Sequence, residues 1–173
     1  MDARHFFQKF QHIVDWENNM CPEAQEQVDK TFAPGLFNKT WEYMTRESLT
    51  AEEEDEMLHI AHASRYHWSK IGKPVNLARG EWLLARAYSV AKRPTEALYW
   101  ANRCRERCEG MGLSAFDCAA SAEAVARAHA VGGNTTQARE WRDKAAESAK
   151  AITEAEDKKI FDEDLASLDA MLG

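Results

Sequence analysis

Two groups of side chains in this sequence have types and spacings that could do chemistry. Glu52, Asp55, Glu56, His59, His62 and Tyr66 recur at intervals of three and four, which puts them on one face of a helix. Carboxylates and imidazoles so arranged are the material of a metal site, with His59 and His62 as the nitrogen donors. Zinc or iron, however, needs three or four ligands in convergent geometry and a supporting outer shell, and a His-x2-His spacing recurs on many helices that bind nothing. The second group is thiol. Cys104 and Cys108 are one helical turn apart and Cys118 follows on the next segment, an arrangement that could permit redox chemistry. Against it stands simple burial, because Cys104 falls at a packing position that wants a small residue. His67, beside Trp68, reads as a core histidine bonded to a neighbouring backbone group or carboxylate. No glycine-rich phosphate loop, serine nucleophile elbow or paired acid motif is present, so the chain reads as a non-enzyme with no cofactor of its own.

The elements that must position these residues are helices. The chain has 173 residues, 45% of them hydrophobic, with 4 prolines and 8 glycines; alanine is abundant and β-branched runs are nearly absent. That supports one all-α domain over 1–173, with irregular helices to residue 50, helical hairpins over 51–155 and a capping helix over 156–173. Phe6, Phe7, Phe10, Ile13 and Val14 mark a first amphipathic helix at 3–16. Pro22 opens a short polar helix that Pro34 and Gly35 are expected to stop, before Leu36, Phe37, Trp41 and Met44 form another apolar face. Thr50 and Glu53 fit a capping box for a long helix over 51–71, which Gly72 is expected to end in the left-handed conformation. Pro74 and Pro94 start the next two, Gly110 and Gly112 close the second of them, Ser114 with Asp117 caps another, and Gly132-Gly133-Asn134 turns the chain into a helix from about Thr136.

Charge and hydropathy limit the partners. A formal charge of -7 argues against a general nucleic-acid binder and against an anionic membrane surface. No apolar run reaches the roughly 18 residues of a membrane span, and the opening residues lack the apolar core of a signal peptide, so the expected compartment is the cytoplasm and the four cysteines are expected to be reduced.

The sequence then repeats itself. Leu84-Ala85-x2-Tyr88, with Ala97 nine residues on, is echoed by Val125-Ala126-x2-His129 with Ala138 nine residues on; Cys104 and Ala145 follow seven residues after each. This resembles the tetratricopeptide repeat, in which small residues let antiparallel helices approach closely. Glu81 stands where that family usually has tryptophan, Ala85 and Ala126 replace its glycine, the terminal proline is missing, and the spacing is 41 residues rather than 34. Ala61-His-Ala-Ser-Arg-Tyr-His-Trp68, Ala78-Arg-Gly-Glu-Trp82 and Asn-Arg-Cys at 102–104 also resemble a family of uncharacterised bacterial tetratricopeptide-like proteins, over roughly residues 36–165. The resemblance implies a stack of α-α hairpins and carries no activity with it.

It also implies a groove. The family's groove positions fall on Arg79, Trp82, Arg86 and Ser89 in the first unit and on Glu123 and Arg127 in the second. Two guanidinium groups flanking an indole suit a peptide carboxylate and an apolar side chain. The alternative is that these arginines pair with acidic neighbours of their own fold, the commoner arrangement. Residues 79–108 carry seven basic and three acidic side chains, which marks either a partner-facing patch or an ordinary solvated helix. The leading expectation is therefore an interaction or scaffold module that receives a peptide segment or a partner subunit. The alternative is a metal or small-molecule binding protein using the His59/His62 face, and a third is a homodimer in which Phe6, Phe7, Phe10 and Trp41 cover an interface.

Overall fold

In the computed structural model, which describes residues 21–173, every regular element is a helix and no strand occurs among the described residues. The helices are α1 (Pro22–Met44), α2 (Ala51–Ile71), α3 (Pro74–Val90), α4 (Pro94–Met111), α5 (Ala115–Val131), α6 (Thr135–Ser148), which runs into a 3-10 turn at Ala149–Ala151, and α7 (Ala155–Leu172). The expected helix at 3–16 lies outside the described residues.

Local chemistry sets most boundaries. Thr50 Oγ1 accepts from the Glu53 N–H and the Glu53 carboxylate accepts from the Thr50 N–H, at 3.3 and 2.9 Å, so both exposed donors at the start of α2 are satisfied. Ser114 caps α5 by accepting from Asp117 N–H at 3.1 Å, and Asn134 caps α6 in the same way. Gly112 ends α4 at φ +58°, where a side chain would be strained. Gly72 departs from expectation: it ends α2 in extended backbone at φ -78°, not in the left-handed region. Close approach is what requires a glycine here, since a Cβ would stand 2.5 Å from the Trp68 carbonyl oxygen and 2.9 Å from Asn76 Cβ.

Pro34 and Gly35 do not stop a helix. They lie inside the 23-residue α1, although Pro34 cannot donate to the carbonyl one turn back. Packing overrides the local rule: Ala33 is fully buried against α2, and Ser64 Oγ of α2 donates to the Ala33 carbonyl at 2.8 Å, immediately before the proline. Thr40, fully buried, donates to Leu36 on the other side.

The helices pack in neighbouring pairs, α1 with α2, α3 with α4 and α5 with α6, and the alternate helices α1, α3, α5 and α7 also touch in succession. The helix at 51–71 thus has α1 as its hairpin partner. The small residues of the sequence repeat lie at these contacts: Leu84, Ala85, Ala97 and Cys104 are buried in the first unit, and Val125, Ala126, Ala138 and Ala145 in the second. α3 and α5 are both 17 residues long and start 41 residues apart, so the period read in the sequence is also the period of the helices. Met57, Leu58, Leu83, Leu84 and Tyr43 fill the core at one end, with Trp41 and Trp82 packed on them; Phe161 of α7 closes the other end against Ala119, Ala145 and Ala149.

Candidate functional site

Buried carboxylates bridge several of the helix joints. Glu81 of α3, fully buried, accepts from Arg107 of α4 through Nε and Nη2 at 2.8 and 2.7 Å and from Arg65 of α2 at 3.0 Å. Burial alone would raise its pKa, but hydrogen bonds from Arg107 and Arg65 outweigh that and hold the carboxyl below its ordinary value. Glu123 of α5 is buried between Arg86 of α3, at 3.3 Å, and Arg127 of its own helix, at 2.8 Å. Arg86 reaches on to Asp164 of α7 at 3.0 Å, and Arg127 to the Asp164 carbonyl at 3.0 Å. Asp117 of α5 takes Arg79 Nε at 2.8 Å and the Ser114 hydroxyl at 2.6 Å. At the first joint Asp29 of α1, buried, meets His67 Nδ1 at 2.7 Å, with Phe32 stacked on the imidazole. His67, half-buried, thus bonds a carboxylate, as expected from its place beside Trp68.

These pairings place the six groove residues. Arg79 and Trp82 face a common cavity. Arg86 lies behind the Trp82 ring, 5.6 Å from its centroid, and is committed to Glu123 and Asp164. Ser89 is buried and donates to the Ala85 carbonyl of its own helix at 2.8 Å. Glu123 and Arg127 are buried with each other. The basic stretch is also spoken for in part: Arg107 holds Glu81, Arg105 pairs with Glu109 and lies over Trp141, and Arg93 pairs with Asp55.

The cavity, of about 280 Å³, opens where α1, α3, α5 and α7 converge over α4. Phe37, Trp41, Trp82, Phe116 and Ile160 give it apolar walls; Arg79, Asp117 and Asp157 are its charged groups; Ala78, Cys104 and Cys108 line it from the buried side. Arg79 keeps 53% of its side-chain surface exposed, so its guanidinium reaches solvent while still bonded to Asp117. The Trp82 Nε1–H is buried and has no acceptor among the described residues. Sequence reasoning found Arg79 and Trp82 but missed the other walls, which come from helices far apart in the chain.

The acidic and imidazole face of α2 does not converge. His62 turns inward, its Nε2 2.9 Å from the Tyr88 hydroxyl and its ring edge-on to Trp100, and burial together with the nearby His59 lowers its pKa. Asp55 is engaged by Arg93, while His59 stays exposed. No group of three or more His, Cys, Asp or Glu side chains among the described residues is placed to hold a metal ion. Trp41, offered as an interface residue, packs on Trp82 with centroids 5.6 Å apart; Phe6, Phe7 and Phe10 lie outside the described residues. No helix among the described residues is long and apolar enough to cross a membrane.

The four cysteines are free. Cys104 and Cys108 are buried with their sulfurs 4.0 Å apart, and Cys118 packs in the same cluster. Compared with family models, with curated proteins and with solved structures, the chain finds no match.

Proposed function

We propose that this chain is a tetratricopeptide-like interaction module, an α-α superhelix of hairpins capped by α7, whose cavity receives an apolar side chain from a peptide segment or a partner subunit. The observation that carries this reading is the cavity itself. It is concave, walled by four aromatic side chains and Ile160, and bordered by an arginine that is half solvent-exposed. Buried aromatic anchors beside an arginine are what binding hot spots favour. A segment with an aromatic or branched aliphatic residue next to a carboxylate fits best, the carboxylate meeting the open side of Arg79. The same reading makes the protein a cytoplasmic, non-catalytic component that needs neither nucleic acid nor membrane, and it allows the partner subunit to be a second copy.

Selection of peptides from a random display library on the immobilised chain tests it. Enriched peptides should pair an apolar residue with an acidic one. Their binding should weaken in Arg79→Ala and vanish in Ile160→Asp, with the helical circular dichroism of both variants retained at the assay temperature; Arg79→Ala, which strands the buried Asp117, should also lower the melting temperature. Enrichment of no peptide, or of peptides indifferent to both substitutions, would refute the reading.

A further inference from the structure

Cys104 and Cys108 stand one turn apart on α4 and their sulfurs contact each other at 4.0 Å, at the buried end of a cavity that opens to solvent. From these positions we propose that the two thiols form a two-coordinate site for a soft monovalent metal ion such as Cu(I).

Two sulfurs at a metal distance of about 2.3 Å and 4.0 Å apart subtend an angle near 120° at the ion, so small rotations about the Cα–Cβ bonds open the pair to the wider angle of two-coordination. Thiolates select soft ions. The harder ions are disfavoured because the nearby oxygen donors are already taken: Asp117 by Arg79 and Ser114, and Glu81 by Arg65 and Arg107. Four-coordinate zinc would also need ligands that the described residues do not converge there.

Binding exchanges two S–H protons for one cation, leaving a bis(thiolate) unit of charge -1 and releasing two protons to solvent. The charged groups around it balance: Arg65, Arg79 and Arg107 against Glu81, Asp117 and Asp157 of α7 on the cavity wall.

The test starts from the full chain carrying Cys21→Ser, which removes the exposed thiol. Cu(I), kept reduced by ascorbate without oxygen, is supplied as its coloured bicinchoninate complex. The chain should withdraw one ion, with the release of two protons in weakly buffered solution. Cys104→Ser and Cys108→Ser should each lose the withdrawal, and Cys118→Ser should keep it. Where a variant loses its circular dichroism, X-ray absorption of the Cu(I)-loaded Cys21→Ser chain decides instead: a shell of two sulfurs supports the site, and nitrogen or oxygen ligation overturns it. No withdrawal by the Cys21→Ser chain, or withdrawal that survives both pocket substitutions, also overturns it.

Discussion

Replacing Glu81 with alanine should destabilise the fold far more than replacing any exposed acid. The carboxylate has no solvent exposure and accepts three hydrogen bonds from two arginines on two other helices. Bonds of this charged kind are worth about 1.5–3 kcal/mol each in isolation, but they are not additive. Removing one member of a buried pair costs about 3–5 kcal/mol, chiefly because the remaining charge is stranded. Arg65 and Arg107 keep 18% and 22% of their side-chain surface exposed, so both can turn partly to water and the low end applies, about 3 kcal/mol. With a urea dependence of about 2 kcal/mol per molar, the unfolding midpoint should fall by about 1.5 M. Glu109→Ala, which removes an exposed partner of Arg105, should cost less than about 0.5 kcal/mol and serves as the control. The acid limb provides a second reading. The folded Glu81 carboxyl lies below its ordinary value, so its contribution is complete above about pH 4.3 and is lost as pH falls through the folded value. Glu81→Ala should lack that part of the acid-induced loss. A midpoint shift no larger than that of Glu109→Ala would refute the argument that this carboxylate ties α2, α3 and α4 together.

The two glycines of contrasting surroundings should respond oppositely. Gly72→Ala, whose Cβ would press on the Trp68 carbonyl oxygen, should cost about 1–3 kcal/mol in thermal or urea unfolding, and Gly35→Ala, with nothing within 4 Å of the new methyl, should stabilise α1 by about 0.5–1 kcal/mol. Ala126→Leu, at a fully buried position in the second unit of the repeat, should cost about 1–3 kcal/mol; a neutral result would undermine the 41-residue register. His62 is held neutral by burial, so its contribution is present above its ordinary pKa of about 6.5 and is lost as pH falls below it. The wild-type chain should lose stability as pH falls below about 6.5 that His62→Gln does not, and parallel curves would count against the burial of that ring.

What was legible in the sequence was what is local. The Thr50/Glu53 cap needs residues three apart, and the structure reproduces it bond for bond. The small residues of the repeat were legible because helix contacts recur with the period of the chain. Pro34 misled because a local rule cannot see Ser64, thirty residues on, bonding to the carbonyl that precedes it. Glu81 stood out as a departure from the repeat, yet its partners lie 16 and 26 residues away, and nothing in the spacing singles out Arg65 and Arg107 from the other arginines. The cavity lining was half legible for the same reason. Arg79 and Trp82 share a helix face and could be counted onto one another, whereas Phe37, Phe116 and Ile160 join them only through the way the hairpins stack.

Hairpins built on one period carry a hazard that the buried carboxylates address. With alanines at matching positions, α5 could dock where α3 belongs, within one chain or across two, at little cost in packing. The position 41 residues beyond Glu81 is Ala122, which offers no acceptor to Arg65 or Arg107, while Arg86 would lose Glu123. A shuffled stack would strand Arg65, Arg86 and Arg107. The ion pairs thus act as an addressing system that gives a quasi-repetitive chain one permitted order of assembly, and exchanging them between the two units is how that order could be rewritten.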